Sequence, residues 1–317
     1  MASDIKEVLK KYYGFSSFRK GQKEVIESIL EKRDTVAVMP TGSGKSICYQ
    51  IPALILDGVT IVISPLISLM KDQVDALTEM GIKAAYINSS ISNKEMQQRL
   101  RATAEGEYKL LYVAPERLNS LRFINLLKNL DIAMIAVDEA HCVSHWGHDF
   151  RPSYLNISKI ADQLNSNLIL TAFTATATPA VKNDISIQLN MDSPKIYTSG
   201  FDRENLNFKL RKGIDKDQFL KDYLQVNSDQ PGIIYAATRK EVNRIYNLLT
   251  KLDYQVGRYH AGLSDEEREK TQEFFIYDKL KIVVATNAFG MGIDKSNVRF
   301  VIHYNMPKNM ESYYQEA

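Results

Sequence analysis

Short apolar, β-prone runs alternate with longer amphipathic runs along most of the chain. Thr35-Val36-Ala37-Val38-Met39 is the first such run and predicts a buried strand. Residues 59–64, 84–87, 109–113, 132–137 and 168–173 predict further strands. Between them, residues 47–56, 68–80 and 93–104 carry the helical period, and another helix is expected from near Pro179. This is the rhythm of βαβ units, so an α/β fold built on parallel sheet is expected. The rhythm pauses over residues 197–205, a polar stretch without a clear period. It then restarts with strand-like runs at 232–235, 255–259, 281–285 and 300–303 and helical runs at 240–251 and 264–275. The pause predicts two domains, 1–203 and 204–317.

Composition narrows the class without deciding it. A length of 317 residues suits one large or two medium domains, and 44% apolar with 25% charged residues is ordinary for a globular protein. The net charge of +2 is too mild to demand a polyanionic partner, although a local basic groove can coexist with it. Cys48 and Cys142 are the only cysteines, which excludes a disulfide framework and a four-cysteine zinc site. Residues 1–13 are lysine-rich without an apolar centre, so no signal peptide is expected. The apolar runs are broken by Pro65 or by charges before they reach spanning length. A cytoplasmic protein with no membrane partner is the expectation.

Two motifs carry chemistry. Met39-Pro40-Thr41-Gly42-Ser43-Gly44-Lys45-Ser46 joins a predicted strand to a predicted helix. Gly42 and Gly44 let the backbone curl so that its N–H groups, with those of Thr41 and Ser43, face phosphate oxygens. Lys45 would meet the β- and γ-phosphates and Ser46 a magnesium ion. Met39 stands where the strict phosphate-loop pattern has its first glycine. Val137-Asp138-Glu139-Ala140-His141 ends another apolar strand. Asp138 there can hold magnesium, and Glu139 can orient or deprotonate a water. These motifs predict a nucleoside triphosphatase.

Several further blocks, in order, resemble the RecQ-type DNA helicases, a branch of the superfamily-2 helicases, over essentially the whole chain. They are Tyr13 to Gln22, Ser64 to Gln73, Ala114-Pro115-Glu116-Arg117, Ser144-His145-Trp146-Gly147-His148-Asp149-Phe150-Arg151-Pro152, Thr174-Ala175-Thr176-Ala177, Tyr259 to Leu263 and Ala285 to Asp294. The aromatic-rich stretch is the most diagnostic. The family often carries glutamine where this chain has His145.

The resemblance implies two tandem RecA-like parallel-sheet domains with flanking helices. It implies ATP and Mg2+ as cofactors, and 3′-to-5′ unwinding of DNA in repair and recombination. Phe15, Arg19 and Gln22 would hold adenine. Lys45, Asp138, Glu139 and His141 would form the catalytic set, and Asp294 would act on the ribose or phosphate side. Ser64, Lys71, Trp146, His148, Phe150, Arg151, Tyr235, Arg239 and Thr286 would meet DNA or couple it to hydrolysis. Thr174 and Thr176 would couple hydrolysis to movement, their hydroxyls reaching the 138–141 segment. Partners would be single-stranded and partly duplex DNA, with a monomer acting at the nucleoid.

Cys142, His145 and His148 have metal-like spacing, but the aromatic-rich block accounts for these residues and no zinc site is expected. Gln315-Glu316-Ala317 begins the family's last helicase block, whose two arginines would follow. The 317-residue chain alone is therefore expected to bind ATP but hydrolyse it poorly. The alternatives are a nucleotide-dependent DNA-binding module without efficient hydrolysis and an RNA helicase on the same sheets.

Overall fold

The structure is a computed structural model that describes residues 2–147, 149–164, 168–200, 206–289, 295 and 297–316. His148, Asp294, the glycines at 290 and 292 and the expected boundary at 203/204 lie outside the described residues. The chain forms two compact units, Met1–Phe201 and Asp202–Ala317.

In the first unit the strands are β1 (Thr35–Val38), β2 (Val59–Ile63), β3 (Ala84–Ile87), β4 (Leu110–Val113), β5 (Ile132–Val137), β6 (Ile169–Thr174) and β7 (Lys195–Thr198). The helices are α1 (Ala2–Tyr13), α2 (Gln22–Leu30), α3 (Lys45–Ile55), α4 (Ile67–Glu79), α5 (Asn93–Ala104), α6 (Leu121–Leu127), α7 (Asn156–Leu164) and α8 (Pro179–Gln188). The strands form one parallel sheet in the order β3-β4-β2-β5-β6-β1-β7.

Strand side chains alternate between two cores. Val36 and Val38 join the core that takes Met96, Phe123, Ile157 and Ile185 from α5–α8. Ala37 and Met39 join the other, with Ile5, Val25, Tyr49 and Met70 from α1–α4. Both faces are covered, which is why the strands read as unbroken apolar runs.

β7 was not expected. It pairs in parallel with β1 at the sheet edge, where the polar pause begins. Its residues are mostly exposed, including Ile196, so no core-facing alternation marks it in the sequence.

The second unit has β8 (Gly232–Tyr235), β9 (Val256–Tyr259), β10 (Ile282–Ala285) and β11 (Phe300–His303) in the parallel order β11-β8-β10-β9. Its helices are α9 (Lys216–Asn227), α10 (Arg239–Thr250), α11 (Asp265–Ile276) and α12 (Met310–Glu316). Ile234 packs with Leu220, Leu224, Val242 and Ile245 on one face, and Ile233 and Tyr235 pack with Phe275 and Phe289 on the other.

Candidate active site

The carboxyl ends of β1, β6 and β5 lie side by side, because β6 pairs with both neighbours. Ligands of open parallel sheets gather beyond these ends. The phosphate loop leaves β1 there, the 138–141 segment leaves β5, and Thr174 closes β6 between them.

Glycine geometry shapes the loop. Gly42 and Gly44 have φ of 75° and 81°, in the left-handed region. Pro40 O accepts from the Ser43 N–H at 3.1 Å and from its hydroxyl at 2.6 Å. Lys45 Nζ donates to Met39 O at 3.1 Å. Lys45 and Ser46 begin α3, so the helix N-terminus and the ammonium point positive charge at the same place. Met39, at the position of the missing first glycine, is buried, and the Cys48 thiol reaches its sulfur at 3.8 Å. It serves as core rather than as loop.

The segment before the loop braces it. Arg19 donates to Gly42 O. Gln22 is buried, and its Nε2 donates to Ser43 O at 3.0 Å and Gly44 O at 3.2 Å. Its Oε1 accepts from the Arg19 N–H at 2.8 Å. The carboxamide expected to meet adenine is here turned onto the loop. A Cβ on Gly44 would lie 2.5 Å from Gln22 Nε2, so the two positions are mutually specified. Phe15 is 51% exposed.

At the end of β5, protein packs round most of Asp138. Burial first, and then the neighbouring Glu139 carboxylate, push it up to about 7, while Lys45 pulls it back. Two crowded acids facing a lysine favour a bound cation, which would relieve both causes. Glu139 has φ 47°, a left-handed turn that is rare for a residue with a side chain. The turn brings its Oε2 to 3.2 Å from His141 Nδ1.

His141 Nδ1 also lies 3.0 Å from Thr174 Oγ1, and that hydroxyl donates to Thr176 O at 3.0 Å. A hydroxyl has one proton, so Nδ1 of His141 carries the hydrogen that Thr174 accepts. Thr174 O also accepts from the Met39 N–H at 3.0 Å. Thr174 is thereby bonded to both the phosphate-loop strand and the acidic segment. Thr176 takes part through its carbonyl, whereas its hydroxyl was expected to bond. Tyr154 was missed by the sequence reading: buried, it donates to Asp138 O at 3.0 Å.

The aromatic-rich stretch follows a short 3-10 turn, Ala140–Val143. Trp146 is 76% exposed, and the His145 and Phe150 rings stack with centroids 3.9 Å apart. Arg151 is engaged at both ends of its guanidinium, by Asp149 Oδ2 at 3.0 Å and Pro65 O at 3.2 Å. It tethers the loop in this way. Lys71 is exposed on α4. Ser64 is buried just after β2.

In the second unit, Tyr235 lies at the end of β8. It is buried, and its hydroxyl donates to Phe289 O at 3.1 Å, supporting the turn that Thr286 opens. Thr286 is partly exposed and Arg239 is exposed at the start of α10.

The description "DEAD/DEAH box helicase" matches residues 19–184, more than half of the chain. The chain belongs to the DEAD/DEAH box helicase family. The helicase conserved C-terminal domain matches residues 215–317. RecQ-type helicases are among its curated relatives. It is 56% identical to the ATP-dependent DNA helicase RecQ of Bacillus subtilis (strain 168), over 100% of this chain and 54% of that protein. It is 46% identical to the protein of the same name from Pasteurella multocida (strain Pm70), over 98% of this chain and 49% of that protein. The chain thus spans about half the length of these curated relatives. The crystal structure of the DUF1998 helicase MrfA bound to DNA shares the fold, with a TM-score of 0.78 at 19% identity, over 99% of this chain and 48% of that one. For a DEAD/DEAH box helicase, the two parallel-sheet units are the architecture expected from the sequence, with the phosphate loop in the first.

Proposed function

We propose that this chain is the motor of an ATP-dependent DNA helicase, which hydrolyses ATP to move 3′ to 5′ along DNA and unwind it in repair and recombination. The observation that carries this reading is the hydrogen-bonded line from the phosphate-loop strand through Thr174 to His141, from which the exposed Trp146 turn follows directly. A change at the phosphates would be felt at a ring placed to stack on a base.

Lys45 and the loop N–H groups would hold the β- and γ-phosphates. Ser46 and Asp138 fit magnesium, because both offer hard oxygen donors and this ion keeps its remaining positions for water and substrate phosphate. When bound, the ion would neutralise charge on the phosphate oxygens. Glu139 would take the proton of the attacking water, with His141 holding the carboxylate in place. Phe15 and Arg19 flank the place for adenine. Asp294 would act on the ribose or phosphate side of the nucleotide.

Trp146, Phe150 and His148 would stack on or contact bases, while Lys71, Arg239 and Thr286 would meet phosphates. The substrates would be single-stranded and partly duplex DNA, acted on by a monomer in the cytoplasm at the nucleoid. Among the described residues no helix is long and apolar enough to cross a membrane.

The test is ATP turnover with single-stranded DNA and with RNA of equal length, in a chain carrying the whole final helicase block. DNA should stimulate phosphate release more than RNA does. Equal or greater stimulation by RNA would overturn the DNA assignment, and no turnover under either condition would overturn the motor.

A further inference from the structure

The sharp turn that displays Trp146 is held from a helix that none of the helicase blocks includes. Ser144 is fully buried, and its hydroxyl donates to Asp184 Oδ2 on α8 at 2.6 Å. With that proton committed, the same oxygen accepts from the Trp146 N–H at 3.1 Å. The other Asp184 oxygen accepts from Gln188 Nε2 at 3.1 Å, one turn along α8, which orients the carboxylate. The turn is closed by Gly147 N–H donating to Ser144 O at 3.1 Å. A Cβ on Gly147 would lie 2.3 Å from His141 O, so the chain must pass there as glycine.

α8 begins just after β6, capped by Thr178, whose hydroxyl accepts from the Val181 N–H at 3.3 Å. The same strand–helix connection therefore holds the acidic segment through Thr174 and the tryptophan turn through Asp184.

We infer that Asp184 is a positioning residue for Trp146, setting the stance of the aromatic turn through the Ser144 hydroxyl. Val181 and Ile185 attach α8 to the core, so the helix is rigid there. A charge-assisted hydroxyl bond of this length is among the stronger side-chain bonds and holds its geometry. Loss of the acceptor would free the Ser144 hydroxyl to rotate and release the Trp146 N–H. The inference rests on the reading of the loop as a nucleic-acid contact only for its consequence, not for its geometry.

Trp146 is the sole tryptophan, so its own fluorescence reports the turn. The experiment compares Asp184→Leu, Asp184→Asn and Ser144→Ala with the parent by tryptophan anisotropy, acrylamide quenching, oligothymidine affinity and melting temperature. Asp184→Leu and Ser144→Ala should each lower the anisotropy and weaken oligothymidine binding about fivefold, the scale of one poorly ordered stack. The double variant should be no worse than either single one. Asp184→Asn keeps an acceptor and should match the parent. Should Asp184→Leu fail to fold, Ser144→Ala carries the same test. Unchanged anisotropy in Ser144→Ala, or an asparagine variant as loose as the leucine one, would overturn the inference. A loosened tryptophan with unchanged oligothymidine affinity would support the positioning role and overturn instead the loop's assignment to DNA.

Discussion

Under the proposed function Lys45 and Glu139 would divide the work at the scale of single residues, and neither belongs to the apolar core. Lys45 is partly exposed at the start of α3 and donates only to backbone carbonyls of its own loop among its hydrogen bonds. Lys45→Ala should abolish tight ATP binding in titration calorimetry and leave the melting temperature within a degree or two of the parent, roughly the scale of a change below ~0.5 kcal/mol. Unchanged affinity would remove the loop from the phosphates. Glu139→Gln keeps the shape of the side chain and loses the base. ATP with magnesium should still bind while phosphate release falls by ~10²–10⁴-fold, the range of a general base. Turnover at the parent rate would take Glu139 out of the chemistry. Both residues were legible in the sequence, because strand–loop–helix and strand-then-acid patterns state the local geometry that their chemistry needs. Gln22 was legible as a site residue but not in its orientation. A carboxamide can face a base or a backbone, and the choice is made by Ser43 and Gly44 across the fold.

At the scale of elements, strands buried on both faces announced themselves and exposed ones did not. β3, β5, β8 and β11 have the ends expected from the sequence, since each is an apolar run bounded by polar or turn residues. β7 pairs at an edge with little burial, so only the sheet reveals it. Tyr154, Asp184 and the inward turn of Tyr235 were hidden for a related reason. Each acts through a partner distant in sequence, namely Asp138, Ser144 and Phe289.

β6 carries the most consequential of these long-range contacts. Thr174→Val keeps the volume but removes the acceptor for His141 and the donor to Thr176. The buried Thr176 carbonyl would lose its donor, and a buried polar group left unsatisfied costs ~1–3 kcal/mol, so urea unfolding should show a loss of that order. Thr176 has its hydroxyl in no such pair with His141, and Thr176→Val should cost less. Equal losses would mean that the Thr174–His141 bond has no special weight in this sheet.

For the whole molecule, the first unit gathers the phosphate loop, the acids and the tryptophan turn beyond the carboxyl ends of neighbouring strands of one sheet. That arrangement is the central claim: nucleotide chemistry and a base-stacking ring share a short, hydrogen-bonded segment. The second unit has its own four-stranded parallel sheet, and its sequence carries no glycine-lysine phosphate loop. The most direct measurement is the fold-stimulation of ATP turnover by single-stranded DNA in Trp146→Ala, beside the parent, in a chain with the whole final block. Because Trp146 is exposed, the melting temperature should stay near the parent's, whereas truncating a core tryptophan would cost ~3–5 kcal/mol. Basal turnover should persist and the stimulation by DNA should be lost. Stimulation retained at the parent's level would contradict the account, since hydrolysis would then sense DNA by a route that bypasses the tryptophan turn.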